Sequence, residues 1–194
     1  MTERILFFGE NMTSNQTQYT IRKADTQEIE AIRRMHAQAW RDTYQNDEIG
    51  ITKEWLAKET ESWLSPEKLK VSYEKLSNVF ADPTQLHRIA LRDDEIVGFV
   101  HFSTREDGEK RLDALYTVKD TYGTGLAQLL MKEGEAFTAN HEVELEVVSY
   151  NERAKAFYRK YGFEETDKHN ELFRDKIPCT TMIRTPSIKL KGAK

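Results

Sequence analysis

Tyr122-Gly123-Thr124-Gly125-Leu126-Ala127 decides how the chain is read, because it joins an apolar strand candidate, Leu112 to Val118, to an amphipathic helix candidate, Gly125 to Asn140. Small residues at this spacing let backbone amides point at an anion. The amides stand at the positive end of a helix dipole, so a pyrophosphate can rest there without a lysine. Glycine-rich strand-to-helix turns serve several nucleotide-binding folds, and the turn alone specifies a phosphate without saying which. A P-loop NTPase places lysine and Ser/Thr directly after its last glycine, where this chain has Leu126-Ala127-Gln128. A dinucleotide fold needs a third glycine three residues on, near the start of a βαβ unit. Here Gln128 takes that place, and the loop lies in mid-chain after three strands with an antiparallel pattern.

Composition bounds the answer. At 194 residues, with 38% hydrophobic and 32% charged residues, the chain suits one well-buried domain. Apolar runs are only a few residues long and no signal-like start is visible, so neither a membrane span nor secretion is indicated and a cytoplasmic protein is expected. The net charge of -4 argues against nucleic acid as a partner. The single cysteine, Cys179, cannot form an intrachain disulfide and reads as a buried, inert thiol.

Residues 1–18 read as a tail or peripheral strand, and 186–194 as a basic tail, leaving one domain over 19–185. Tyr19 to Lys23 alternates like a strand, and Asp25 or Thr26 can cap a helix carrying Ile29, Ile32, Met35, Ala39 and Trp40 on one face. Two helices between Thr52 and Phe80 are divided at Ser65-Pro66, where proline fits a first helical turn. Gln85 to Leu91 and Glu95 to Phe102 flank a polar turn as a hairpin. Beyond the loop helix, Glu142 to Val148 alternates with period two, Asn151 can cap a helix stopped by Gly162, and Phe163 to Thr166 and Thr180 to Arg184 close the sheet.

Two segments resemble the GNAT superfamily of acetyl-CoA-dependent N-acetyltransferases, and the resemblance runs from about Tyr19 to Arg184. Leu115-Tyr116-Thr117-Val118 with Tyr122 to Ala127 is similar to the family's acyl-CoA strand and its Gln/Arg-x-x-Gly-x-Gly/Ala loop. Asn151-Glu152-Arg153-Ala154-Lys155-Ala156-Phe157-Tyr158-Arg159-Lys160-Tyr161-Gly162-Phe163 is similar to its Asn-x-x-Ala…Phe-Tyr-x-x-x-Gly-Phe segment. Each is weak alone; together, 24 residues apart from Ala127 to Asn151, they are specific.

The resemblance implies a single α/β (α+β) domain with a mixed, mostly antiparallel sheet of about six to seven strands, splayed at the acyl-CoA site and flanked by helices. It implies acetyl-CoA as co-substrate, a small-molecule or peptide amine as acceptor, and direct transfer in a ternary complex. Homodimers are common in the family. Cofactor contacts would come from Leu115, Tyr116 and Thr117 on the strand, from Tyr122, Gly123, Thr124, Gly125, Leu126 and Ala127 in the loop, and from Asn151. Tyr122 departs from the usual Gln or Arg, the one hint toward a non-catalytic acyl-CoA-binding module.

Acetylating an amine requires removal of a proton. With a pKa near 10, only about a thousandth of a primary amine is nucleophilic at pH 7, a penalty of roughly 4 kcal/mol. The departing thiolate also gains from a proton. Tyr158 matches the tyrosine that the family places near the thioester sulfur, as general acid. Glu146, twelve residues earlier, keeps the spacing of the glutamate base in members that acetylate protein N-termini; a solvated strand face is an equal reading. Trp40 and Tyr44 match the region of the acceptor wall, and ordinary core aromatics are equally consistent with them. His36 reads more readily as a packing histidine than as a base, His101 as a strand-end residue, and Asp113 as a strand-edge residue near the acyl site. No metal-ligand spacing is present.

Overall fold

The computed structural model describes residues 18–168 and 172–186. The stretches 1–17 and 187–194, read above as tails, lie outside the described residues. In order, the elements are β1 (Thr20–Lys23), α1 (Ile29–Thr43), α2 (Lys53–Ser62), α3 (Pro66–Ala81), β2 (Gln85–Arg92), β3 (Glu95–Thr104) and β4 (Lys110–Thr117). After the glycine loop follow α4 (Leu126–Glu133), α5 (Glu135–Thr138), β5 (Val143–Val148), α6 (Glu152–Arg159), β6 (Glu164–Glu165) and β7 (Cys179–Arg184).

Local chemistry sets the boundaries. Asp25 accepts from the Gln27 amide and Glu28 reaches back to the Asp25 amide, a capping box that starts a short 3-10 turn leading into α1. Thr52 caps α2, and Ser65 caps α3 with Pro66 at its first position. Asn151 caps α6 by accepting from the Ala154 amide at 3.1 Å. The helix expected from Gly125 to Asn140 is interrupted at Gly134. A β-carbon there would stand 2.4 Å from the Phe102 ring, so the helix can approach the sheet only through glycine, and the turn tightens as the Gly134 amide donates to the Met131 carbonyl. Strand β3 runs on to Thr104, which places His101 inside the strand and not at its end.

The seven strands form one sheet in the order β1-β2-β3-β4-β5-β7-β6. All neighbours are antiparallel except β4 and β5. On one face, Leu126, Leu130, Tyr158 and Phe163 pack against Phe102, Leu112, Leu145 and Met182. On the other, Ile29, Ile32 and Met35 of α1 and Phe80 of α3 pack on Ile89, Leu91 and Phe99. Both faces are thus sealed by apolar side chains, the main source of stability in such a layered domain. Among the described residues no helix is long and apolar enough to cross a membrane.

The parallel pair is short. Lys110, Arg111 and Leu112 of β4 face Val143, Glu144 and Leu145 of β5, and the pairing goes no further. Outer edges stay paired much longer, β4 with β3 as far as Thr117 and β5 with β7 as far as Val148. Leu112 faces Phe102 whereas Ala114 faces His101, so Asp113 is an extra residue on β4. A bulge of this kind bends its strand and increases the local twist. It falls where β4 leaves β5.

Candidate active site

The glycine loop lies beyond the open half of β4. Gly123 has φ +78° and Gly125 φ +90°, values that side chains resist, and a β-carbon at either would meet nothing within 4 Å. Glycine is therefore needed for backbone shape, while the space beside it stays free. On the inner side the Thr121 hydroxyl donates to the Val118 carbonyl and the Thr124 hydroxyl to the Thr121 carbonyl, each at 2.7 Å. Leu126 is fully buried and anchors α4. No side chain caps α4 at Gly125. Its first-turn amides have no acceptor within the helix, and the helix dipole adds partial positive charge there.

Tyr122 leaves the loop sideways, its hydroxyl 3.1 Å from the Thr43 hydroxyl. The Arg153 guanidinium sits over its ring, 3.5 Å from the centroid. A cation from the first turn of α6 thus stands beside the loop that lacks the usual polar side chain at position 122.

Beside the open half of β4 stands an aromatic group around Tyr116. The Tyr116 hydroxyl receives the Trp40 indole N–H at 3.2 Å and shares a hydrogen bond with the Tyr44 hydroxyl. The Tyr150 hydroxyl donates to the Tyr44 carbonyl at 2.8 Å. Tyr158, only 8% exposed on α6, lies close enough to Tyr116 for their charged forms to repel. Burial pushes the Tyr158, Tyr116 and Tyr44 hydroxyls above the ordinary phenol value, and Tyr150 to about 12. All remain protonated at neutral pH. Cys179 is half-buried, not fully buried as expected; burial and the charge of Glu146 raise its thiol to about 11, which suppresses the thiolate.

Where the strands part, charged groups gather on the sheet face opposite Leu112 and Leu145. Glu146 is exposed, with Arg111 Nη2 at 3.3 Å, and Arg111 Nε lies 3.4 Å from Asp113. Glu144 is the buried member of this alternation. Burial disfavours its charge, but Lys168 and Arg105 more than offset this and hold it below the usual carboxylate range. His101 Nδ1 stands 3.8 Å from Asp113; burial lowers the ring's pKa and Asp113 partly opposes that. No group of His, Cys, Asp or Glu among the described residues could hold a metal ion.

Of the residues singled out in the sequence, Leu115, Tyr116 and Thr117 lie on the unpaired half of β4, and Glu146 on the matching half of β5. Trp40 and Tyr44 are buried, and their polar atoms hydrogen-bond to the Tyr116 hydroxyl. The Asn151 side-chain oxygen is engaged in its cap. His36 packs its ring among Trp40, Trp63, Phe99 and Tyr116. Sequence reasoning passed over Arg153, although its place two residues after the cap sets it on the first turn of α6; it also passed over Arg33 and Arg111, whose settings depend on distant segments.

A family model described as an acetyltransferase (GNAT) domain matches residues 40–186. An uncharacterized N-acetyltransferase of Mycobacterium bovis is 32% identical over 96 residues, 48% of this chain and 62% of that protein, and one of Mycobacterium tuberculosis matches equally. The chain therefore spans about 62% of the length of the curated relatives it matches. Among solved structures, the PaiA N-acetyltransferase of Thermoplasma acidophilum in complex with coenzyme A superposes with a TM-score of 0.68 at 19% identity, covering 87% of this chain and 99% of that one. The ribosomal-protein-S18-alanine N-acetyltransferase of Escherichia coli gives 0.56 at 17% identity, covering 91% and 99%. At such identities the likeness is one of fold. The family match takes in most of the chain, the glycine loop and the Asn151 to Phe163 segment included, and on that ground the chain belongs to the GNAT family of acetyltransferases.

Proposed function

We propose that the chain transfers an acetyl group from acetyl-CoA to a primary amine by direct attack in a ternary complex. The observation that carries this reading is the parting of β4 from β5 beyond Leu112 and Leu145. It leaves one internal strand edge unpaired, with the glycine loop beyond one side and Tyr158 near the other. An extended pantetheine arm would pair with β4 at Leu115 and Thr117 as an added strand, and its pyrophosphate would rest on the amides of Gly123, Gly125 and Ala127.

In this reading the amine nitrogen attacks the thioester carbonyl, the new C–N bond forms and the C–S bond breaks. Glu146, oriented by Arg111, takes the amine proton directly or through water. Tyr158, kept protonated by burial, donates to the departing sulfur and recovers its proton from solvent. The acceptor enters on the sheet face that carries Glu146. A cytoplasmic setting and a homodimer remain part of the proposal.

Calorimetric titration with acetyl-CoA tests the reading. Binding at micromolar cofactor is expected, and its absence at millimolar cofactor sinks the proposal. Tyr158→Phe should lower turnover about 100-fold or more while sparing cofactor affinity. Binding without turnover on any amine would leave a non-catalytic acyl-CoA module instead.

A further inference from the structure

Arg33 and His36, three apart on α1, project from one helix face. The Arg33 guanidinium lies over the Trp63 ring, 4.8 Å from its centroid, with Nη1 3.4 Å from His36 Nδ1. Since arginine can only donate, His36 accepts at Nδ1, and its neutral ring carries the proton on Nε2. Both His36 Nε2 and Arg33 Nε are buried and have no hydrogen-bond partner among the described residues. Two donors are therefore left without an acceptor in one cluster.

The charge is also unbalanced. Arg174, before β7, comes within 5.5 Å of the Trp63 ring centroid and pairs with Glu59 at 2.8 Å. Among the described residues no carboxylate lies within ion-pair distance of Arg33. Burial and Arg174 depress the Arg33 pKa, and burial with both arginines pushes His36 down to about 3. Burial disfavours a guanidinium in such a setting unless an anion joins it. Arg33 keeps part of its surface exposed, and Phe173, 43% exposed, offers an apolar rim against Trp40. The His36 ring stands 4.3 Å from the ring of Tyr116, which links the cluster to the opening between β4 and β5.

We propose that Arg33 and His36, with Arg174 beside them, seat a carboxylate of the acceptor, so that the amine acetylated here belongs to a small amino acid with an apolar side chain. This rests on the acetyltransferase reading and names its acceptor class. Planar guanidinium and carboxylate match in geometry; the part of Arg33 that stays exposed can take a carboxylate, and the two buried donors beneath it leave the cluster short of acceptors until one arrives. The carboxylate would bind at Arg33 while the amine points toward Glu146.

The test uses matched acceptors with saturating acetyl-CoA: phenylalanine against phenethylamine, and leucine against 3-methylbutylamine. The carboxylate member should have the higher kcat/KM by tenfold or more. Arg33→Met should collapse that ratio toward one through the KM of the carboxylate member, and Arg33→Lys should recover part of it. Equal use of both members by the wild type, or an Arg33→Met effect that scales both alike, overturns the proposal. If no amine is acetylated, calorimetry on the CoA-loaded protein compares N-acetylphenylalanine with N-acetylphenethylamine. Preference for the carboxylate, lost in Arg33→Met, upholds the seat even though turnover fails; no preference overturns it. Glu171 lies outside the described residues, and Glu171→Gln should keep the ratio. If it reproduced the Arg33→Met result, the anion would be the chain's own and the proposal would fall.

Discussion

The hydroxyls of Tyr44 and Tyr116 hydrogen-bond to each other at 3.0 Å, one from the end of α1 and the other from the open half of β4. The same Tyr116 oxygen also receives the Trp40 indole N–H, so one hydroxyl ties the helix to the strand twice.

That arrangement orders two substitutions. Tyr44→Phe removes one hydrogen bond and leaves Trp40 paired, so it should cost about 1 kcal/mol. Tyr116→Phe strands both the indole N–H and the Tyr44 hydroxyl in a buried place, and should cost about 2–3 kcal/mol. Urea unfolding of the two variants checks the order; a Tyr44 variant less stable than the Tyr116 variant contradicts it.

Arg153 should contribute to cofactor binding through its charge. Stacked on Tyr122, it is held beside the loop proposed to receive the pyrophosphate. Arg153→Met is expected to weaken acetyl-CoA binding about tenfold, or about 1.4 kcal/mol, and to flatten the dependence of Kd on salt, since the lost term is one that ions screen. Calorimetry at low and high salt distinguishes this from a packing defect, which would leave the salt slope intact.

Stability should fall on acidification before most carboxylates titrate. His36 and His87 both have pKa values lowered to about 3, chiefly by burial, against an unfolded value near 6.5. A depressed folded pKa means that the unfolded chain takes up the proton first. The stabilisation is whole above pH 6.5 and is lost as pH drops toward 3. Two such groups give a slope of about 2.7 kcal/mol per pH unit. Denaturant midpoints measured between pH 7 and 5 should show it, and His87→Leu should halve the slope.

Gly134→Ala should destabilise the protein, although alanine is the better helix former by about 1 kcal/mol. Its methyl group would be forced into the Phe102 ring, and overpacking of that kind costs about 1–3 kcal/mol. Pairing it with Phe102→Leu should recover stability; a stabilised single variant would refute the contact.

Much of the fold was legible because it is written locally. Caps at Asp25, Ser65 and Asn151, proline at 66 and the alternation from Val143 to Val148 each mark a boundary that neighbouring residues alone can impose. The break at Gly134 was not legible, since its cause is a phenylalanine on another strand. Alternation likewise placed Glu144 and Glu146 on one face, but only Arg105 and Lys168, distant in sequence, determine that the first is buried and the second exposed. The loop and Tyr158 carried recognisable spacing. Arg33 did not, because what distinguishes it is the lack of a carboxylate partner among the described residues, and a missing partner leaves no pattern in sequence.

The extra residue at Asp113 also bears on aggregation. Exposed strand edges invite other sheets to dock, and proteins usually place such edges at the rim, where they must be defended. Here an unpaired edge lies in the middle of the sheet, walled on its two sides by β3 and β7. A second sheet docking there would meet β3 and β7 on either side, whereas a single extended chain, as in the proposed cofactor contact, needs only the one edge. The bulge therefore places the unpaired edge inside the sheet, away from the rim where sheets meet one another.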